Sequence, residues 1–265
     1  TVIIKLMIEV KNLIKSFDEN EIVKDVSTTF IKGKTNLIIG QSGSGKTVLL
    51  KCLLGLYAPD SGEIIYDGVS NKMMNDSNKT LLRREMGMVF QGSALFDSMT
   101  VLENVKFPLT MLTEKDDEEV RQRAEIAIQR VDLEKDFNKL PSELSGGMQK
   151  RVAIARAIVM NPKYLFCDEP NSGLDPKTAI IIDKLIQEIT KEFNITTIVN
   201  SHDMNSVMEI GEKILFLVNG EKNWEGTNKE IFKTDNQSIS DFVYSSELLK
   251  KVKKTDSNFE KKFYL

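Results

Sequence analysis

The sequence predicts an α/β fold, with a parallel core sheet, an antiparallel β lobe beside it and an inserted α-helical subdomain. Three observations predict it. Runs suited to strands buried on both faces occur at Asn36-Leu-Ile-Ile39 and at the apolar Tyr164-Leu-Phe-Cys-Asp168, and a β-branched, strand-like run at Ile195 to Ser201. Ile8 to Lys15 and Ile22 to Phe30 alternate instead, as antiparallel strands with one solvated face do. Asp116 to Asp132 changes period, placing Val120, Ala124, Ala127, Ile128 and Val131 on one helical face with charges opposite.

Taken in chain order, Thr1 to Leu6 read as possible upstream residues, with Met7 a possible natural start. The two alternating stretches form the antiparallel lobe. Asn36 to Ile39 is a buried strand, and Val48 to Leu56 an apolar helix. About 92 to 160 reads as the inserted subdomain, ending in Met148 to Met160, an apolar-periodic helix that carries Lys150, Arg151 and Arg156. Tyr164 to Asp168 suits a central parallel strand, and Ile195 to Ser201 is β-branched throughout its first half. Ile214 to Val218 and Lys222 to Trp224 are closing strands joined by Asn219-Gly220, a hairpin signal. There are no internal repeats.

The residues between the first core strand and its helix carry the chemistry. Gly40-Gln-Ser-Gly-Ser-Gly-Lys-Thr47 matches the P-loop pattern G-x-x-x-x-G-K-[ST]. Its glycines let backbone N–H groups close around a phosphate, Lys46 reaches the β and γ oxygens, and the Thr47 hydroxyl suits Mg²⁺. A flexible Gly/Ser turn is the bland alternative, and the strand before it and helix after it argue against that. Asp168, at the end of an apolar strand, is placed to hold the metal, and Glu169 to orient or deprotonate an attacking water. Taken alone, the adjacent acids also suit a helix N-cap leading into Pro170. His202 is the chain's single histidine and falls just past a strand, at the sheet edge where ligands bind in open α/β folds. Ser145, Gly146 and Gly147 precede the basic helix and form an anion site at its N-terminus, or a simple cap.

Composition narrows the class. At 265 residues the chain buries a large core in one domain or two lobes. A net charge of −3 leaves no electrostatic footprint for nucleic acid. Cys52 and Cys167 sit in apolar runs, which suits reduced thiols rather than a disulfide framework. No apolar run approaches the ~18 residues of a spanning helix and no signal-peptide pattern is read, so membrane work is expected to fall to partners.

At this point the chain resembles the nucleotide-binding subunit of an ABC transporter over about residues 7 to 242. The motifs come in that family's order: the P-loop at 40–47, Gln91, Leu144-Ser-Gly-Gly-Met-Gln149, the strand 164–168, Glu169, Ser172-Gly-Leu-Asp175 and His202. The resemblance implies a P-loop NTPase (RecA-like) core occupying 1–242, ATP and Mg²⁺ as ligands, and an ATP sandwich between two copies of the chain. It implies binding of ATP by Phe17, Gly40, Ser42, Gly43, Ser44, Gly45, Lys46, Thr47, Val48, Ser145, Gly146, Gly147 and Asp175. Metal binding then falls to Thr47, Gln91 and Asp168, and catalysis to Glu169, His202 and Gln91. Phe17 takes the place of an adenine-stacking aromatic, where Tyr is commoner; Cys167 and Asn171 also depart from the usual residues. The stretches 40–52 and 90–105 look more closely like ATPases of Mce-associated lipid transporters such as the Mla system. That implies permease partners, a Mce-domain lipid-binding protein and a peripheral place on the cytoplasmic face of the inner membrane. Leu95-Phe96 is then an exposed pair that receives a permease helix, or else packs inside the helical lobe. The extension 243–265 interleaves lysines with Leu248, Phe259, Phe263 and Tyr264, and is expected to serve as an arm on a neighbouring subunit.

Other classes fit less well. None of the Asn-Lys pairs at 71, 78, 138 and 228 continues as the N-K-x-D of a GTPase. Fewer than a hundred residues, with no sustained heptads, separate Thr47 from Leu144, too few for the coiled coil of an SMC or Rad50-like ATPase. A translation-factor ATPase carries two cassettes. Within transporters, an importer of another solute is the runner-up.

Overall fold

The computed structural model describes residues 7–244; the expected C-terminal arm lies outside them from 245 on, as do residues 1–6. β1 (Met7–Phe17) and β2 (Asn20–Ile31) pair antiparallel, with Ile8 opposite Phe30 and Phe17 opposite Asn20. Their alternation buries Ile8, Val10 and Leu13 with Val23, Val26 and Phe30. β3 (Thr35–Ile39) is buried along its whole length. α1 (Lys46–Leu53) follows it and stops short of the expected Leu56, because Gly55 turns left-handed at φ 67. β4 (Ser61–Tyr66) and β5 (Val69–Ser70) complete the lobe in the order β2-β1-β4-β5.

α2 (Asp76–Arg84) and β6 (Met86–Val89) escape the periodicity argument: the helix buries no side chain, and the strand is four residues long. α3 (Val101–Leu112) starts at a Thr100/Glu103 capping box, α4 (Asp117–Arg130) at Asp116, and α5 (Gly146–Ile158) at Ser145. These helices lie between β6 and β7 (Tyr164–Asp168) in the chain. α6 (Pro176–Glu192), β8 (Thr196–Ser201), α7 (Met204–Ile210), β9 (Lys213–Val218), β10 (Glu221–Gly226) and α8 (Gln237–Val243) complete the described residues. β10 returns antiparallel to β9 across Asn219-Gly220, both at positive φ, as the hairpin signal requires.

The larger sheet runs β10-β9-β3-β8-β7-β6, parallel apart from β10. The apolar side chains of its central strands alternate between two cores. Leu37, Ile39, Leu165, Cys167 and Val199 join the core beneath α3 to α8. Ile38, Tyr164, Phe166 and Ile198 join the core shared with α1 and the antiparallel lobe. Both cysteines are buried with free thiols, and burial pushes the Cys52 thiol up to about 11. No helix among the described residues is long and apolar enough to cross a membrane. Parallel pairing leaves the C-terminal ends of β3, β8, β7 and β6 side by side, and the segments expected to carry chemistry leave from that edge.

Candidate functional site

The turn between β3 and α1 is shaped by its glycines. Gly45 caps α1 at φ 95, and a Cβ there would sit 2.6 Å from the Ile22 carbonyl oxygen. No side chain caps this helix, so its first amides face the loop. The Lys46 ammonium, buried at 7% exposure, donates to the Gly40 and Gln41 carbonyls at 2.9 Å each. Burial lowers its pKa, and the nearby charges of Glu169 and Asp168 work against that. Ser44 Oγ is buried with no hydrogen-bond partner among the described residues, while Ser42 and Gly43 are exposed. A buried hydroxyl, a desolvated ammonium and free helix amides together suit a phosphate.

Asp168 at the end of β7 accepts from Thr47 Oγ1 at 3.4 Å and from Asn200 Nδ2 at 3.0 Å. Asn200 stands directly opposite Asp168 in the β7–β8 register. Thr47 and Asp168 thus offer adjacent hard oxygens. Among the described residues no cluster of three or more His, Cys, Asp or Glu forms a cage. An incomplete oxygen set beside a phosphate cradle fits Mg²⁺, which keeps waters and phosphates among its ligands.

Glu169 follows with its backbone at φ 46, an unusual conformation for a residue with a side chain. One carboxylate oxygen meets His202 Nδ1 at 3.0 Å, and the other accepts from Gln91 Nε2 at 3.0 Å. Gln91 also reaches Ser172 Oγ at 3.4 Å. Among the described residues, the Gln91 side chain therefore bonds to Glu169 and Ser172 and not to the Thr47–Asp168 pair.

Other expected residues stand further out. Ser145 Oγ caps α5 by accepting from the Met148 amide at 3.3 Å, and Ser145 and Gly146 are exposed. Gly147 packs so closely on α6 that a Cβ would lie 2.6 Å from Thr178 Cγ2. Among the described residues no hydrogen bond joins 145–147 to the loop at 40–47. Asp175 caps α6 through the amides of Lys177 and Thr178, and its bonds to Thr178 hold the carboxyl below its usual range. Phe17 is 39% exposed, with the Tyr57 ring edge-on at 5.1 Å and the Lys15 ammonium 5.3 Å from its centre. Val48 is half-buried with its side chain on the core beneath α1, so any ligand contact there is through the backbone.

Leu95 and Phe96 part company: Leu95 leans on the helical core, while Phe96 stays 41% exposed against Phe107, ring centres 4.6 Å apart. The segment carrying them is clamped by residues that sequence reasoning did not single out for this role. Lys150 donates to the Gln91 carbonyl, and Arg156 to the Ser93 and Ala94 carbonyls at 2.8 Å. Asn104, fully buried, holds both polar groups of Phe96. A signal existed for Lys150 and Arg156, since both are cations within an apolar helix. For Asn200 it was a lone amide in a β-branched strand.

The ABC transporter family model matches residues 23–172. A methionine import ATP-binding protein, MetN of Clostridium tetani, is 37% identical over 243 residues, covering 92% of this chain and 76% of its own. The "Probable ribonucleotide transport ATP-binding protein mkl" of Mycobacterium leprae is 36% identical over 238 residues, covering 89% and 68%. The dimeric post-hydrolysis structure of the ATP-binding cassette MJ0796, bound to ADP and Pi, superposes with a TM-score of 0.74 at 35% identity over 83% of this chain and 98% of that one. By its motifs, its fold and these matches, the chain belongs to the ABC transporter family, as an ATP-binding, ATP-hydrolysing subunit.

Proposed function

We propose that this ATPase works as one half of a dimer that closes on ATP and drives an integral membrane permease from the cytoplasmic face of the inner membrane, moving phospholipid across the cell envelope. One observation carries the hydrolytic reading: Glu169 is held by His202 on one oxygen and Gln91 on the other, beside the Thr47–Asp168 pair. In this reading the amides of 40–48, Ser44 and Lys46 bind the phosphates, and Phe17 stacks on the adenine. Mg²⁺, when bound, neutralises phosphate charge; Thr47 and Asp168 would hold it, with Gln91 approaching from Glu169's side. Glu169 orients the attacking water and takes its proton, and His202 fixes the carboxylate. Ser145, Gly146, Gly147 and Asp175 serve ATP held by the second copy, which agrees with the exposure of Ser145 and Gly146. The nucleotide-binding domain is taken as 1–242, its helical subdomain as about 92–160, and 243–265 as an extension. Light scattering on the Glu169→Gln chain tests the dimer: association with Mg-ATP is expected, and a persistent monomer at saturating ATP with the permease present refutes it.

The lipid assignment rests on the stretches 40–52 and 90–105 and includes a Mce-domain protein in the complex. A small-solute importer is the second reading, favoured by the methionine import relative at 37% identity. Purified complex in liposomes separates them. Transfer of labelled phospholipid that needs ATP supports the first, and turnover stimulated only by a solute-binding protein supports the second.

A further inference from the structure

α6 turns an apolar face toward the core, with Ile182, Leu185, Ile186 and Ile189 buried along it. Asp183 interrupts that face at 2% exposure. Among the described residues no lysine, arginine or histidine pairs with it. A buried carboxylate without a cation lowers stability, so its presence calls for a use. Among the described residues, its side-chain hydrogen bonds go to the two segments that carry the catalytic pair. Ser206 Oγ, 1% exposed, donates to Asp183 Oδ2 at 2.7 Å. Asn171 Nδ2 donates to the same oxygen at 3.2 Å and to Ser206 Oγ at 2.8 Å. Asn171 lies just past Glu169 and Pro170, and Ser206 lies one helical turn past His202 on α7. Behind the exposed Glu169–His202 contact there is thus a closed triangle, buried at Asp183 and Ser206 and half-buried at Asn171, joining the same two segments. Glu169 itself sits at φ 46, a backbone conformation that persists only where its surroundings hold it.

We infer that Asp183 is a positioning residue for ATP hydrolysis, acting through Asn171 and Ser206 to hold Glu169 and His202 at their working separation. Its side-chain bonds go to Asn171 and Ser206, so it acts through them. Burial pushes its carboxyl up to about 6; the Ser206 and Asn171 bonds oppose this, while Asp203 and Glu209 on the α7 side add to it. The carboxylate is therefore kept at a cost that an apolar residue would avoid.

The inference rests on Glu169 and His202 acting in hydrolysis, and the test separates the two. Asp183→Asn sets an amide against the Asn171 amide. In the full chain, ATP turnover is expected to fall about fivefold with KM changed less than about twofold, and with a melting temperature no lower than wild type. Adding Asn171→Asp exchanges the pair. The amide introduced on α6 would then donate to the carboxylate introduced beside Pro170 and to Ser206 Oγ, and Ser206 would donate to that carboxylate, the mirror of the native bonds. The exchange variant is expected to recover turnover to within about twofold of wild type. Wild-type turnover by Asp183→Asn overturns the inference. So does a loss of turnover that tracks a lowered melting temperature, or an exchange variant that is folded and no faster than the single variant. Glu169→Gln is measured alongside: if it turns over normally, the hydrolytic reading fails; if it is inactive while Asp183→Asn is normal, only the role of Asp183 fails.

Discussion

Replacing Asp183 by Asn should stabilise the fold at neutral pH, and by an amount that depends on pH. The carboxyl has an ordinary pKa of 3.8 and a folded value of about 6. Each unit of difference is ~1.4 kcal/mol, so at pH 7.5 the ionised group destabilises the native state by about 3 kcal/mol. Between those two pKa values the folded chain binds more protons than the unfolded one, so stability falls as pH rises through the interval and levels off above 6. At pH 5 about half of the penalty is present. An amide at 183 carries none of it but faces the Asn171 amide, a mismatch of about 1 kcal/mol. The variant should therefore be more stable than wild type by about 2 kcal/mol at pH 7.5, and the gain should shrink by about 1 kcal/mol at pH 5. Urea unfolding of both chains at the two pH values measures this. A variant less stable than wild type at pH 7.5, or a difference that does not change with pH, refutes the reasoning. Together with the expected loss of turnover, stability and rate would then move in opposite directions at one residue, as at sites where buried polarity is retained for function.

Glu169→Gln keeps the hydrogen bond from His202 or Gln91 but accepts no proton; it should bind Mg-ATP normally and release phosphate at least ~100-fold more slowly, read by a phosphate assay. Ser145→Arg places a long cation at the exposed start of α5 and should abolish ATP-driven association of the Glu169→Gln chain in light scattering, leaving nucleotide binding to the monomer intact. Gly45→Ala forces a Cβ to 2.6 Å from the Ile22 carbonyl at φ 95; a loss of about 1–3 kcal/mol in urea unfolding is expected, with weaker ATP binding in a fluorescent-nucleotide titration. Phe96→Asp alters the exposed ring while Leu95 stays on the core, and should release a co-expressed permease on purification without changing nucleotide affinity.

Much of this protein was written in local pattern. Tyr164 to Asp168 and Asn36 to Ile39 announce buried parallel strands because the apolar side chains of such a strand enter two cores, one on each face, and Gly40 to Thr47 announces a phosphate loop because backbone chemistry there depends on a short, contiguous motif. β6 and α2 were silent: four residues are too few to show a period, and a helix with no buried side chain has no apolar face to display. The tertiary structure alone decided which distant groups meet. Asn200 reaches Asp168 because β7 and β8 are in parallel register, and Lys150 and Arg156 hold the 91–96 segment because α5 packs beside β6. Asp183 belongs to no motif in the sequence, where it is one charge beside Ile180, Ile181 and Ile182. Only the packing of α6 turns it inward to Asn171 and Ser206, since a hydrogen bond between residues 12 and 23 positions away is set by how elements dock and not by any spacing along the chain.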